Sequence, residues 1–317
     1  MAMTESAAAI ESGLGANVAE PYSGAGDENV LSRKQANLWG DAWRRMTRNK
    51  LALIGMFVVA SFLLIAIFAP LLAPYGESEV VDVRLARTGP SWQWPMGLDQ
   101  NGRDIFSRMM YGARVSLLVG VVAYMIILAI SIPIGSIAGF FGGWVDNALM
   151  RVVDIVFTIP QVLLVLMFVN WRGPGLTNIF IAIGIIGWVT EARLIRGQFL
   201  TLREQDYIKA SRVAGGNGFF IIGRHLLPNS LTPIIVAATF GIPTAIFTEA
   251  AISFVGVGIR PPDASWGQMV GAAAQPQYIR TDPYMLLFPV LAIGLTMLGF
   301  TFLGDGLRDA LDVKGND

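Results

Sequence analysis

Polar and apolar residues fall along this chain in long blocks. Six blocks are apolar over a length that suits a membrane crossing: 51–72, 115–141, 152–169, 179–188 with the residues that extend it, 234–257 and 284–303. A hydrocarbon core about 30 Å thick takes about 20 residues of helix. The pattern predicts an all-α polytopic membrane protein with six transmembrane helices. Ahead of the first block, residues 32–50 (SRKQANLWGDAWRRMTRNK) predict an interfacial amphipathic helix that meets membrane lipid. Trp39 and Trp43 share its face, and Arg44, Arg45, Arg48 and Lys50 place positive charge beside the bilayer. Residues 1–31 are rich in Ala, Gly, Ser and Glu without periodicity and are expected to be a disordered cytoplasmic tail.

The polar segments set the expected topology. Residues 75–112 form an external loop with a short amphipathic helix at 104–111, and Trp92 and Trp94 sit at interface depth. A turn with Asp146 and Arg151 follows the second block, where Arg151 and Asp154, three apart, are expected to pair. NWRGPGLTN links the third block to the fourth, and 258–283 is a second external loop framed by Gly256, Gly258, Pro261, Pro262 and Trp266. Residues 113–304 thus hold a five-helix core, and 305–317 a cytoplasmic tail. Fifteen of the 23 Lys and Arg residues fall in segments this arrangement places inside, so both termini are expected in the cytoplasm.

The longest mainly polar insert of the C-terminal half is 203–233, REQDYIKASRVAGGNGFFIIGRHLLPNSLTP. Its basic residues place it on the cytoplasmic side. Residues 207–214 read as a helix with Asp206 as N-cap and Gly215-Gly216 as its stop. Eight residues make only about 12 Å of helix, too short to stand alone in water. Such a helix, with Ala210, Ser211 and Ala214 as a small-residue face, is expected to dock on a partner protein.

Composition narrows the chemistry. The chain is 54% hydrophobic and 15% charged, with mean hydropathy +0.55 and net charge zero. Nucleic acid is not an expected partner. Absence of Cys excludes disulfides and thiolate chemistry, and a single His excludes a multi-histidine metal site. No Gly-Lys dipeptide occurs, so no Walker A phosphate loop is present and any ATP must bind another chain. The first fifty residues hold no apolar core segment, so no secretory signal peptide is expected and the first apolar block stays as an anchor.

The insert resembles the cytoplasmic motif of ABC-importer permeases: Glu-Ala-Ala, three residues, Gly, nine residues, Ile, one residue, Leu-Pro. Lys209, Ala210, Ser211, Gly215, His225, Leu227 and Pro228 occupy those places, with Lys for Glu, Ser for Ala and His for Ile. RRMTRNKLALIG, GLDQNGRDIFSRMMYGARVSL, DNALMRVVDIVFTIP, SFVGVGIRPPDASWGQM and LGDGLRDALD resemble, in order, further blocks of the C-type subunit of dipeptide/oligopeptide importers. The resemblance implies a type I (MetI-like) permease fold in the inner (plasma) membrane. It also implies a non-catalytic subunit forming half of a translocation path for di- or oligopeptides. The implied partners are a second homologous permease subunit, two cytoplasmic ATP-binding subunits that carry ATP and Mg, and an external substrate-binding protein. Related importers for nickel, glutathione and other small solutes share these blocks.

Within that frame the coupling residues are Tyr207, Ile208, Lys209, Ala210, Ser211, Arg212, Ala214 and Gly215; the competing reading packs this helix on its own protein. Glu249, an acid inside the fifth block, is a pathway candidate together with Phe247 and Ser253; the competing reading is a structural contact between helices. His225 reads as a packed neutral residue, and a pH switch there would need a partner the sequence does not show. A different class, an ion-coupled secondary transporter, would draw on membrane-buried charge, of which Glu249 is the clearest instance.

Overall fold

The structure is a computed structural model that describes residues 38–260 and 263–311. The expectation for residues 1–31, and Pro261 and Pro262, lie outside the described residues. The chain divides into a unit 1–41, of which only the start of one helix is described, and a unit 42–317. Among the described residues every regular element is helical apart from a single antiparallel bridge, Leu98 to Asp104.

Helix α1 (Leu38–Met46) carries Arg44 and Arg45 in its last turn, and Trp43 is exposed. Helix α2 (Lys50–Leu72) is apolar all round, as a lipid-facing span must be. The Asn49 side chain caps it by accepting from the Leu51 and Ala52 amides. Helix α3 (Ile105–Phe141) absorbs the expected short external helix into one 37-residue element. Asp104 accepts from the Ser107 amide and hydroxyl and starts the helix before the first turns leave the polar region. Pro133 is carried inside it.

The third apolar block departs most from expectation. It forms two helices, α4 (Gly143–Thr158) and α5 (Gln161–Arg172), bent by 81° at Ile159-Pro160. Pro160 has no amide hydrogen and disfavours helix at Ile159, so the break falls there. Helix α6 (Leu176–Leu202) follows, then α7 (Asp206–Val213). The next helix begins sixteen residues earlier than the apolar pattern suggests. A short α8 (Gly218–Ile221) and a π turn (Ile222–Leu226) run directly into α9 (Leu227–Phe254). Pro228 would clash with the Arg224 carbonyl in a regular helix, and the wider turn accommodates it. Helices α10 (Trp266–Ala273) and α11 (Pro276–Thr281) precede α12 (Tyr284–Leu311), which absorbs much of the expected C-terminal tail. Among the described residues five helices are long and apolar enough to cross a membrane, and there are six if the bent pair α4 and α5 makes one broken span.

Small residues let these helices approach closely. A Cβ on Gly135 would lie 2.6 Å from the Ala192 carbonyl oxygen, and one on Gly139 would lie 2.6 Å from Phe199 Cβ, so α3 and α6 meet at backbone distance. Gly55 meets Gly299 in the same way between α2 and α12. One apolar core joins α3, α5, α6 and α9; a second joins α2, α3, α10 and α12. Trp266 anchors the second: its indole donates to the Met109 carbonyl, its amide to Ser116, and Phe62 meets its ring edge-on at 5.2 Å. The two external-loop indoles part company, with Trp94 buried and Trp92 fully exposed.

Candidate functional site: a cavity among the spans and an exposed short helix

A cavity of about 920 Å³ lies between α3, α5, α6, α9 and α12. Helical spacing builds its walls. Ile183, Gly187, Thr190, Glu191, Leu194 and Gln198 form one stripe of α6; Thr232, Val236, Phe240, Gly241, Thr244 and Thr248 form the facing stripe of α9. Tyr124 and Gln161 close one side, and Arg308 and Leu311 stand at the end nearest α7. Gly241 is required here, since a Cβ would fall 1.8 Å from the Tyr124 ring. The lining mixes apolar walls with hydroxyl and amide groups. Among the described residues it contains one carboxylate, Glu191.

The acid singled out in the sequence lies elsewhere. Glu249 is completely buried, and its Oε1 accepts from the Ser253 and Ser265 hydroxyls, each at 2.7 Å. Ser265 also caps α10 by accepting from the Gln268 amide. Glu249 and Ser253 therefore tie α9 to the start of α10 behind the cavity wall, and Phe247 is exposed on another face. None of the three lines the cavity; Thr248, one residue and about 100° away on the helix, does. Glu191 escaped the sequence reading because Arg193 and Arg196 follow it and suggest that the span has ended. The helix in fact continues to Leu202. Both arginines are neutralised by α4: Arg196 by Asp146, and Arg193 by Asp154 at 2.7 Å. Asp154 thus pairs with Arg193 and not with Arg151.

Helix α7 starts one residue earlier than expected. Gln205 occupies the cap position and Asp206 the first turn, where it complements the helix dipole and meets Lys209 at 3.4 Å. The stop is a Schellman motif: the Gly216 amide donates to the Ser211 carbonyl, the Gly215 amide to Arg212, and Gly215 has φ +84°. Ile208 is fully buried among Phe140, Ile195, Phe199, Ile221 and Leu226. Tyr207, Lys209, Ala210, Arg212, Ala214 and Gly215 are exposed, and Ser211 is half-buried. Arg212 lies over the Phe140 ring at 5.1 Å. Val213 is 91% exposed, and Phe219 and Phe220 beyond the stop are exposed too. His225 is half-buried, its ring edge-on to Tyr207 and Phe220. Arg203 donates to the Gly139 carbonyl and pins the α6–α7 corner to the end of α3. The result is a short helix held by one isoleucine, with an apolar patch left uncovered.

A bundle that crosses the membrane, carries an open cavity among its spans and presents a short exposed helix at one end fits an integral membrane permease. The chain belongs to the family described as binding-protein-dependent transport system inner membrane component, whose model matches residues 131–314. The N-terminal TM domain of oligopeptide transport permease C matches residues 37–90. The chain is 42% identical over 301 residues to the oligopeptide transport system permease protein OppC of Bacillus subtilis (strain 168), covering 94% of this chain and 97% of the relative. It is 43% identical over 276 residues to the dipeptide transport system permease protein DppC of Alkalihalophilus pseudofirmus, covering 87% and 90%. It is 41% identical over 276 residues to the glutathione transport system permease protein GsiD of Shigella dysenteriae, covering 87% and 90%. Among solved structures it resembles a chain of the MetNI methionine ABC transporter in inward-facing conformations, with TM-score 0.51 and 20% identity, covering 65% of this chain and 97% of that one. The fold is therefore the type I (MetI-like) permease fold. The chain is a permease subunit of an ABC importer, a non-catalytic component embedded in the inner membrane.

Proposed function

We propose that this subunit forms half of the path by which di- and oligopeptides enter the cell, paired with a second, homologous permease chain. Two cytoplasmic ATPase subunits that hold ATP and Mg drive it, and an external binding protein delivers the peptide. Tyr207, Lys209, Ala210, Ser211, Arg212, Ala214 and Gly215 are the coupling surface, and Ile208 is the peg that fixes it to the bundle. Both termini lie in the cytoplasm, on the side of α7.

The observation that carries this reading is the exposed α7, anchored through Ile208 to α3, α6 and α9, three of the helices that line the cavity. Closing the ATPase pair moves α7, and α7 is joined through Ile208 to the helices that wall the cavity. Shifting a two-state gate from almost all one state to almost all the other takes about 5.5 kcal/mol. In this reading that energy enters through α7. A second solute, glutathione, is favoured by the 41% identity to GsiD, and it is itself a peptide-like amine. The test is ATP-dependent uptake of trialanine, glutathione and Ni²⁺ by proteoliposomes holding the complete transporter. Trialanine uptake that requires ATP supports the peptide reading; uptake of Ni²⁺ alone contradicts it.

A further inference from the structure

We propose that Glu191 is the group that receives a positively charged amine of the transported solute, the terminal ammonium of a short peptide. This rests on the peptide-permease reading above and deepens it by naming the residue and the chemistry it recognises.

Glu191 stands in the middle of α6, about 22 Å from the helix start and about 16 Å from its end at 1.5 Å per residue. It is half-buried, and a carboxylate within a membrane-spanning helix calls for a partner. Among the described residues no cation pairs with it. The two arginines that follow on the same helix are turned to α4 and held there by Asp154 and Asp146. The Tyr124 hydroxyl lies near it, buried and without a hydrogen-bond partner. Glu191 lines the cavity, and the cavity's size falls within the range of about 300–1,000 Å³ usual for small-molecule sites. Thr190, Thr244, Thr248 and Gln161 surround the same space with hydroxyls and amides. Such groups match a peptide backbone without selecting side chains. The arrangement is one fixed negative charge in a tolerant polar shell, which suits a solute whose constant feature is an ammonium group.

The alternative occupant is a cation of the second permease chain, and the two are separated by a ratio. Uptake of trialanine and of N-acetyltrialanine is measured in proteoliposomes with the complete transporter, for wild type and Glu191→Gln. Taking the ratio of the two peptides cancels the amount of active complex. The ratio should fall by about tenfold or more in Glu191→Gln, the loss of one charge-assisted hydrogen bond. Glu191→Asp, which keeps the charge, should hold the preference for the free amine and also serves if Glu191→Gln does not assemble. A ratio unchanged by Glu191→Gln, or lost equally in Glu191→Asp, overturns the proposal. If the wild-type transporter takes up neither peptide with ATP, the peptide reading itself fails, which is a separate outcome.

Discussion

Arg196 of α6 grips Asp146 of α4 with both Nε and Nη2, the Nη2 contact at 2.7 Å. Two parallel bonds to one carboxylate make the strongest common form of ion pair. Asp146 is largely buried and Arg196 one-third exposed, so solvent screens the pair only in part. The pair sits in the first turn of α4 and holds the near half of the broken span to the cavity-lining helix. Asp146→Asn should lower stability by about 1–3 kcal/mol, read as a fall in the thermal unfolding midpoint in detergent. Exchanging the two residues should recover part of the loss. A double variant no better than the singles would show that the pair contributes little.

Glu249 is a structural clamp in this account. Glu249→Leu strands the Ser253 and Ser265 hydroxyls and should cost about 2–4 kcal/mol. Glu249→Gln keeps an oxygen for both and should cost less than about 1 kcal/mol. Urea or thermal unfolding of the two variants checks the contrast. Equal stability with a marked change in solute preference would return Glu249 to the pathway.

Gly215 is needed for its backbone angle. A Cβ there meets no atom within 4 Å, yet φ is +84°. Gly215→Asn, which tolerates that angle, should retain most ATP-driven uptake. Gly215→Val and Gly215→Trp strain the stop of α7 and should hydrolyse ATP with uptake reduced by about tenfold or more, if about 1–2 kcal/mol of strain displaces the helix. The ratio of solute moved to ATP hydrolysed is the readout, and a normal ratio in Gly215→Trp would count against a coupling role.

Outside the bundle, Glu77 accepts from the Ala264 amide and joins the two external loops. Burial pushes its carboxyl above the usual range, with a further push from Asp263. A raised folded-state pKa means that the folded loop favours the protonated form. Its stabilisation is full below the ordinary carboxylate pKa and is lost as pH rises through the raised value. Glu77→Gln removes that dependence. The wild-type midpoint minus the Glu77→Gln midpoint should therefore be more positive at pH 4 than at pH 8. A difference that does not vary with pH would contradict the placement of Glu77.

Much of this was legible in the chain itself. Long apolar blocks give the spans, because lipid leaves a helix few alternatives. The Ala210–Gly215 spacing gives α7 and its stop. What hydropathy could not show is where helices continue into polar sequence. Gly218–Pro233 and Gly304–Leu311 are helical although polar and charged residues interrupt them. The bend at Pro160 was hidden inside a block apolar enough to read as straight. Glu191 was masked by Arg193 and Arg196, whose charges are neutralised by aspartates 39 and 50 residues away in sequence. Glu249 drew attention because its neighbours are apolar, yet its hydroxyl partners lie 4 and 16 residues on. For Glu191 and Glu249 contacts between residues far apart in sequence decided the outcome, and local pattern does not record them.

The central claim is that this chain is a gate moved from outside itself through α7. The chain has no cysteine, so Val213→Cys supplies a single thiol at a position 91% exposed. Carrying a benzophenone label and assembled in a transporter that couples ATP to uptake, it should photo-crosslink to the nucleotide-hydrolysing subunit. Crosslinks only to lipid or to this chain, in a complex still moving solute with ATP, would contradict the account.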